Sequence, residues 1–371
     1  MKTAETGKKM GKRVMLAMSG GVDSSAALVL LQKQGYEVIG ATMRLYDNED
    51  IGDKSSTCCS LSDVEDARAV AARFGVPHYV FNFMDRFRKD VIERFNDEYL
   101  RGLTPNPCID CNRFLKFSAL LERAEMMECD FIATGHYARI RFDEGSGRYR
   151  LMKAVSGSGE GENAKDQSYV LYDLTQEQMK KVLFPLGELE KSEVRRIAKE
   201  YGLVNHDKPD SQDICFVPDG DYARFIREYT GIVPECGNVI DSKGNVLGRH
   251  EGIINYTIGQ RKGLGIAFGK PMYVTNKNVE DNTVTVGEKE ELFSDRLRAV
   301  DVNIIAELEL GKTVKCKAKT RYKQAEQACE AVFYEDGRLE VLFEEPQRAV
   351  AKGQRVVLYD GDIVLGGGVI A

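Results

Sequence analysis

The sequence predicts an α/β N-terminal domain with a doubly wound parallel sheet, then a small mixed central domain and a C-terminal β-barrel. Three observations predict it. In the first half, short apolar runs alternate with helix-length amphipathic stretches, the pattern of parallel strands joined by right-handed crossovers. A Gly-rich turn links the first apolar run to the first amphipathic stretch. From about Leu292 onward the helical period disappears, and short alternating segments separated by turns take over. The 371 residues also exceed what one core organises, about 250–300 residues.

Taken in order, Val14–Met18 is an apolar run that ends at Ser19-Gly20-Gly21. Ser24 to Lys33 reads as a helix with Ala26, Ala27, Leu30 and Leu31 on one face and Gly35 as its stop. Val38–Met43 is a second buried strand. Leu61 to Phe74 is a helix with Ser62 as a candidate N-cap. His78–Phe83, the helix Asp85–Leu100, the helix Asn112–Met127 and the strand Asp130–Thr134 complete the alternation. A hairpin of Tyr137–Phe142 and Arg148–Lys153 follows, with a polar Gly-rich loop after it at Ser156–Asn163. Helices are expected at Thr175–Val182, Lys191–Tyr201 and Asp219–Tyr229, and a Gly-rich stretch runs from Gly231 to Gly269. The closing strands are Asp301–Ile305, Thr313–Thr320, Ala328–Tyr334, Arg338–Phe343 and Arg355–Tyr359. The expected divisions are a flexible extension over 1–12, a catalytic domain over 13–214, a central domain over 215–290 and a barrel over 291–371.

Composition narrows the function classes. Hydrophobic residues at 43% and charged residues at 30% exclude a disordered or fibrous chain. No apolar run approaches a bilayer span, and the Lys-rich Met1 to Arg13 has no apolar region behind it. A cytoplasmic location without membrane contact is the expectation. A net charge of −6 argues against coating DNA with the whole surface, but a local basic face suffices for phosphates. Nine cysteines without a signal segment point to reduced thiols for metal or catalysis.

Ser19-Gly20-Gly21-Val22-Asp23-Ser24 lies between strand and helix. Glycines let the backbone turn its N–H groups toward a phosphate, and the helix presents its positive end to the anion. Asp23 is unexpected in an anion site, and makes sense if it orients a Mg²⁺ on the phosphates. S-G-G-x-D-S resembles the pyrophosphate-loop motif of N-type ATP pyrophosphatases, which cleave ATP to AMP and pyrophosphate while adenylating a substrate oxygen. Walker A and Gly-x-Gly-x-x-Gly patterns are absent from the sequence, which disfavours a kinase or an NAD enzyme.

Cys108-Ile109-Asp110-Cys111 follows Thr104-Pro105-Asn106-Pro107 and opens a helix, whose N-terminus favours thiolates. At this spacing two thiols can share a metal or act as a redox pair. Cys215 in Asp210-Ser211-Gln212-Asp213-Ile214-Cys215 is a third candidate. Cys58 and Cys59 read as structural or incidental, and Cys129, Cys236, Cys316 and Cys329, at or near strand-like segments, as core thiols.

Several segments together resemble the tRNA-specific 2-thiouridylases (the MnmA/TrmU family). They are Met18–Ser25, Thr104–Asn112, Ala133–Ala138, Lys165–Tyr169, Asp210–Phe216, Tyr256–Gly265, Thr320–Tyr322 and Gly366–Gly368, in order along nearly the whole chain. The resemblance implies that ATP·Mg²⁺ adenylates the 2-oxygen of a wobble uridine and that sulfur then displaces AMP. It implies tRNAs for Lys, Glu and Gln as substrates, and a cysteine desulfurase or relay protein as sulfur source. It assigns ATP to Ala17, Met18, Ser19, Gly20, Gly21, Val22, Asp23 and Ser24, with Met43 and Gly135 beside the adenosine. It assigns tRNA to Asn106, Pro107, Cys108, His136, Lys165, Asp166, Gln167, Arg321, Tyr322 and Gln354. Cys215 is implied as the persulfide carrier and Cys111 as the thiol that takes up the disulfide.

One departure from the family stands out. Many members carry Asp where this chain has Cys108, and Asp110 is not in register with it. The third thiol admits a second route, in which Cys108, Cys111 and Cys215 hold a [4Fe–4S] cluster with one open iron. Independent of the family, Lys315, Lys317, Lys319 and Arg321 fall at alternate positions with Lys312, Lys323 and Tyr322 near them. On a strand the odd members share a face, suited to phosphates or, more blandly, to a solvated edge. Two other readings compete: an ATP pyrophosphatase adenylating a small metabolite, and a non-catalytic RNA-binding protein with a structural zinc.

Overall fold

The computed structural model describes residues 11–46, 61–155, 165–206 and 214–371. Cys58, Cys59, the loop Ser156–Asn163 and the start of the Cys215 motif, Asp210–Asp213, lie outside the described residues. The chain divides into two compact units, one of residues 1–90, 108–218 and 362–364, the other of residues 91–107, 219–361 and 365–371.

The first unit is built on a five-stranded sheet. Its strands are β1 (Arg13–Ala17), β2 (Glu37–Arg44), β3 (His78–Asn82) and β4 (Phe131–Ala133); after a hairpin of β5 (Ala138–Asp143) and β6 (Arg148–Lys153) comes β7 (Val182–Leu183). The order is β3-β2-β1-β4-β7, and every pairing is parallel. Val14, Met15 and Leu16 of β1 are fully buried, because a central parallel strand is covered on both faces. Helix α1 (Val22–Lys33) packs Ala26, Ala27, Leu28 and Leu31 into that core. Helix α2 (Leu61–Arg73) adds Ala67, Val70 and Ala71, and α3 (Lys191–Glu200) adds Val194, Ile197 and Ala198. The doubly wound prediction therefore holds. The short β7 falls inside the region read as the end of a helix: the helix covers only Gln176–Met179, with a Thr175–Gln178 capping box at its start.

Two predicted helices have a different internal form. Asp85–Leu100 is helical over Met84–Phe87 and Arg94–Leu100 but takes wide π-type turns over Arg88–Glu93. The stretch after Pro107 runs as a short helix Pro107–Asp110, wide turns over Cys111–Ala119 and a regular helix Leu120–Met126. Wide turns concentrate at functional sites, and this second stretch carries the Cys108–Cys111 pair.

In the second unit, α4 (Tyr222–Thr230) ends at Gly231 in the left-handed conformation. Four strands follow: β8 (Gly237–Ile240), β9 (Val246–His250), β10 (Tyr273–Asn278) and β11 (Thr283–Gly287), in the order β10-β11-β8-β9. The Gly-rich stretch thus holds two strands. Its glycines hid them, yet Gly237 is required there: a Cβ would lie 2.0 Å from the Asn282 carbonyl oxygen. The final strands are β12 (Phe293–Ile304), β13 (Thr313–Lys319), β14 (Gln327–Phe333), β15 (Leu339–Arg348), β16 (Arg355–Asp360) and β17 (Ile363–Ile370). They run β12-β15-β14-β13-β16-β17, and β12 pairs with β17 to close a six-stranded barrel as expected. Phe333, Val341, Phe343, Val356, Leu358 and Leu365 fill it. The sequence reading missed β17 because of Gly366-Gly367-Gly368. Closure explains these glycines: a Cβ on Gly366 would meet the Asn303 carbonyl oxygen at 2.4 Å and one on Gly368 the Val300 oxygen at 2.8 Å. Cys316 and Cys329 sit opposite each other on β13 and β14 with their sulfurs 3.6 Å apart, and Cys329 is buried. Cys236 is exposed, contrary to the core reading.

Candidate active site

In an open parallel sheet, ligands bind beyond the carboxyl ends of the strands where the strand order reverses. Here the reversal lies at β1, with β2 on one side and β4 on the other. The loops leaving β1 and β4 therefore frame the site, and the sequence fills them with Ser19–Ser24 and Gly135-His136.

Gly21 is the N-cap of α1, and the Ser25 amide makes the first helical bond, to the Gly21 carbonyl at 3.3 Å. The amides of Val22, Asp23 and Ser24 precede that bond and are the helix's own unused donors, suited to phosphate. The loop is held from inside. The Ser24 hydroxyl accepts from the Ser19 amide at 3.3 Å and donates to the Gly21 carbonyl at 3.1 Å. Asn205 donates to both the Gly20 carbonyl and the Ser25 hydroxyl, each at 2.8 Å. Gly20 has φ +71°, and a Cβ there would stand 2.4 Å from the Asp63 backbone oxygen. Gly20→Ala should cost about 2–4 kcal/mol from left-handed strain plus collision with backbone; urea unfolding checks this, and an unchanged midpoint contradicts it.

Gly135 touches the same loop. A Cβ on it would lie 3.0 Å from the Ser24 amide nitrogen and 3.1 Å from the Asp23 Cβ. Only glycine lets the loop after β4 approach the start of α1 this closely.

Asp23 is not solitary. Lys191 Nζ sits 2.6 Å and the Tyr137 hydroxyl 2.8 Å from its Oδ1, and the Lys191 side chain is 5% exposed. Lys191 is the first residue of α3, where the helix dipole disfavours a cation. Asp23 supplies the charge that makes this placement tolerable. The sequence reading missed Lys191 and Asn205. The one local signal was a lysine at a helix start where an acid is usual.

His136 is buried, its Nδ1 2.7 Å from the Thr134 hydroxyl, and its ring packs against Phe117 and Phe184 at 5.9 Å each. Burial, with Lys116 nearby, holds its pKa well below the usual imidazole range. That direction favours the neutral ring. Phe117 belongs to the wide-turned stretch that begins at Cys111, so His136 links the thiol segment to the β4 loop. Gln178 donates to the Phe117 carbonyl at 2.7 Å and Asn112 to the Val170 carbonyl at 2.9 Å, fixing that stretch. Cys108 is exposed and Cys111 buried. Burial raises the Cys111 pKa, Lys116 pulls it back, and Asp110 pushes it up.

Family models match the chain in three consecutive parts: a tRNA methyl transferase HUP domain over residues 12–219, a tRNA methyl transferase PRC-barrel domain over 223–288 and an aminomethyltransferase β-barrel domain over 294–370. A tRNA-specific 2-thiouridylase MnmA of Acetivibrio thermocellus is 54% identical over 97% of this chain and 99% of its own length. Its namesake from Clostridioides difficile is 51% identical over 97% and 98%. The chain belongs to the tRNA-specific 2-thiouridylase family. A solved 4-thiouridine synthetase–RNA complex with bound ATP matches at 20% identity over 56% of this chain and 46% of that one; its TM-score of 0.35 is too low to bear on function.

The residues that the family resemblance assigns to ATP converge in part on the switch point. Ala17 to Ser24 and Gly135 meet there, and Met43 lies near the carboxyl end of β2. Among the described residues, no three His, Cys, Asp or Glu side chains are gathered to hold one metal ion. Cys108, Cys111 and Cys215 therefore do not form a ready cluster site. The expected tRNA residues are dispersed. Asn106 is half-buried and Pro107 buried just before Cys108. Asp166 accepts from the Ala154 and Ser168 amides, each at 3.2 Å, and Gln167 accepts from the Tyr137 amide at 2.9 Å. These two side chains fasten their own loop beside the site, and Lys165 leads into it half-buried. In the second unit, Lys315 and Lys317 are exposed on β13 as the alternation required. Lys312 pairs with Glu309 and Lys315 with Glu330 at 4.0 Å, so the stripe is partly neutralised. The strand ends at Lys319, which puts Arg321 and Tyr322 in the following turn, with the Arg321 guanidinium on the Ala349 carbonyl. Gln354 is half-buried in the turn before β16, its carbonyl accepting from Ile370 at 2.8 Å. No helix among the described residues is long and apolar enough to cross a membrane.

Proposed function

We propose that this protein uses ATP to convert a uridine of tRNA to 2-thiouridine, the activity named for its 54%-identical relative. The observation that carries the reading is the junction of two segments at the carboxyl end of one sheet. The Ser19–Ser24 loop, whose motif resembles that of adenylating enzymes, abuts Gly135, and His136, next in the chain, packs against Phe117 of the stretch that Cys111 begins. The family models' wording of methyl transfer is less well supported, since an adenylating loop and a thiol pair serve sulfur transfer directly.

The amides at the start of α1 bind the phosphates, and the buried Lys191 charge, held on Asp23, acts on them from behind the loop. Mg²⁺ would be held by Asp23, a hard oxygen donor beside those phosphates, and would neutralise charge on the departing pyrophosphate. The uracil 2-oxygen attacks the α-phosphorus, forming an O–P bond as pyrophosphate leaves. The terminal sulfur of a Cys215 persulfide then attacks C2, and AMP departs with that oxygen. Cys111 thiolate attacks the Cys215 sulfur, forming the Cys111–Cys215 disulfide, and the S–S electron pair stays on the base sulfur as 2-thiouridine. A thiol reductant resets the disulfide. His136, neutral, serves as an aromatic and hydrogen-bonding wall for the base. The persulfide itself comes from a cysteine desulfurase or relay protein, and the wobble uridine of the Lys, Glu and Gln tRNAs is the proposed target, in the cytoplasm.

This route needs no metal-ready thiol trio. A [4Fe–4S] route would need a third ligand brought to Cys108 and Cys111. Iron and acid-labile sulfide on anaerobically purified protein decide between them: background iron supports the persulfide route, and about four irons per chain lost in Cys108→Ala overturn it.

Unmodified tRNA, ATP and a desulfurase with cysteine should yield 2-thiouridine by nucleoside mass spectrometry, and AMP in equal amount. AMP without tRNA, or no thiouridine, rejects the proposal. The β13 face of the second unit is the proposed phosphate contact. Lys317→Ala should reduce the salt slope of tRNA affinity by roughly 0.9 per lost phosphate contact; an unchanged slope removes Lys317 from the interface.

A further inference from the structure

We infer that Tyr46 is a positioning residue for Cys215, tying the sulfur-carrying cysteine to the strand end that borders the nucleotide. The inference rests on the reading of Cys215 as sulfur carrier. The Tyr46 hydroxyl donates to the Cys215 carbonyl oxygen at 3.0 Å, across 169 residues of sequence. Tyr46 is 4% exposed, two residues beyond β2, and three beyond Met43. Its ring packs against Phe87 at 5.8 Å, and Phe87 in turn meets the edge of Phe216 at 5.7 Å. Phe216 and Val217 are each 1% exposed, and the Val217 amide closes a turn onto Ile214 at 3.0 Å. The residues after Cys215 are thus an anchor driven into the first unit, while Cys215 itself is half-exposed.

This arrangement divides the labour of one short segment. The aromatic stack fixes where the Cys215 backbone lies. The tyrosine hydroxyl fixes its carbonyl, and with it the direction in which Cα–Cβ–Sγ projects. A buried phenol that found no acceptor would be costly, so the hydroxyl also selects this backbone conformation over alternatives of similar packing. Leu45 and Tyr46 are both buried, so the link between Met43 and Cys215 is short and stiff. Adenosine bound beside Met43 and sulfur carried on Cys215 are then held by one continuous element. Adenylation does not depend on the Tyr46 hydroxyl; in-line delivery of sulfur does.

The test uses the full chain with unmodified tRNA, ATP and a desulfurase with cysteine, under single-turnover conditions. AMP release and 2-thiouridine are followed in the same samples for wild type and Tyr46→Phe. The phenylalanine keeps the ring stack and removes one hydrogen bond. AMP release should stay within about twofold of wild type, while 2-thiouridine formation slows about tenfold, the equivalent of one lost hydrogen bond. Persulfide occupancy of Cys215, read by mass spectrometry after desulfurase loading, should be unchanged, because access is unaltered. A proportional fall of AMP and 2-thiouridine would mean a purely structural role and overturn the inference. Equal rates of thiolation in the two proteins overturn it as well. Wild-type protein that forms no 2-thiouridine overturns the functional reading and this inference together, which separates the two failures.

Discussion

Cys215→Ser and Cys111→Ser are each expected to suppress 2-thiouridine formation by roughly a thousandfold or more while ATP cleavage continues. A serine hydroxyl is not ionised near neutrality and cannot carry a transferable sulfur or leave from one, so the loss is one of chemistry. The two variants should fail differently. Without Cys215 no sulfur reaches the base, and activated tRNA reverts by hydrolysis to AMP and uridine. Without Cys111 the base is left joined to Cys215 through a disulfide. That species should migrate as a protein–tRNA adduct on a non-reducing gel and release 2-thiouridine when dithiothreitol replaces the missing thiol. Cys111 is buried, and burial with Asp110 raises its pKa against the opposing pull of Lys116, so its attack requires the thiol proton to leave as the S–S bond forms. An adduct in neither variant, or full activity in Cys111→Ser without added thiol, contradicts the order of steps.

The Lys191–Asp23 pair yields the second large effect, and an asymmetric one. Lys191 is nearly inaccessible whereas the Asp23 side chain is 29% exposed. Asp23→Asn strands a buried ammonium and should destabilise the first unit by about 2–3 kcal/mol, below the cost for a fully buried pair because water reaches the aspartate. Lys191→Met removes the buried charge and keeps most of the volume, leaving an aspartate that water can solvate; its stability change should stay within about 1 kcal/mol. Both variants should nevertheless lower AMP formation by about a hundredfold, since each removes a charge acting on the phosphates. Urea unfolding and AMP release measured together check this. A Lys191→Met protein as unstable as Asp23→Asn, or one with unchanged AMP formation, would reduce Lys191 to a structural partner.

The alternation of Val14–Met18, Val38–Met43, His78–Phe83 and Asp130–Thr134 with helical stretches was enough to read the parallel sheet, because buried parallel strands are nearly continuous apolar runs. What escaped was short or glycine-rich. β7 has two residues, and β17 carries three glycines because the barrel closes around them. The wide turns at Cys111–Ala119 have no period distinct enough from a regular helix to be seen in sequence. The Ser19–Ser24 loop was legible because its residue types and order are dictated by backbone geometry. Lys191, Asn205 and Tyr46 were not legible, since each acts across more than 165 residues of chain. Family resemblance named tRNA residues that local pattern could not, and for Asp166 and Gln167 the structure adds a scaffolding role that neither source suggested.

In the proposed route the oxygen leaving the base departs on AMP. This is tested most directly with tRNA carrying a heavy oxygen isotope at the 2-position of the wobble uridine. AMP recovered after one turnover should carry one heavy atom per 2-thiouridine formed, because the O–P bond made in adenylation is retained when sulfur breaks the C–O bond. AMP free of the isotope, alongside 2-thiouridine, would mean that ATP does not activate the base, and would contradict the account.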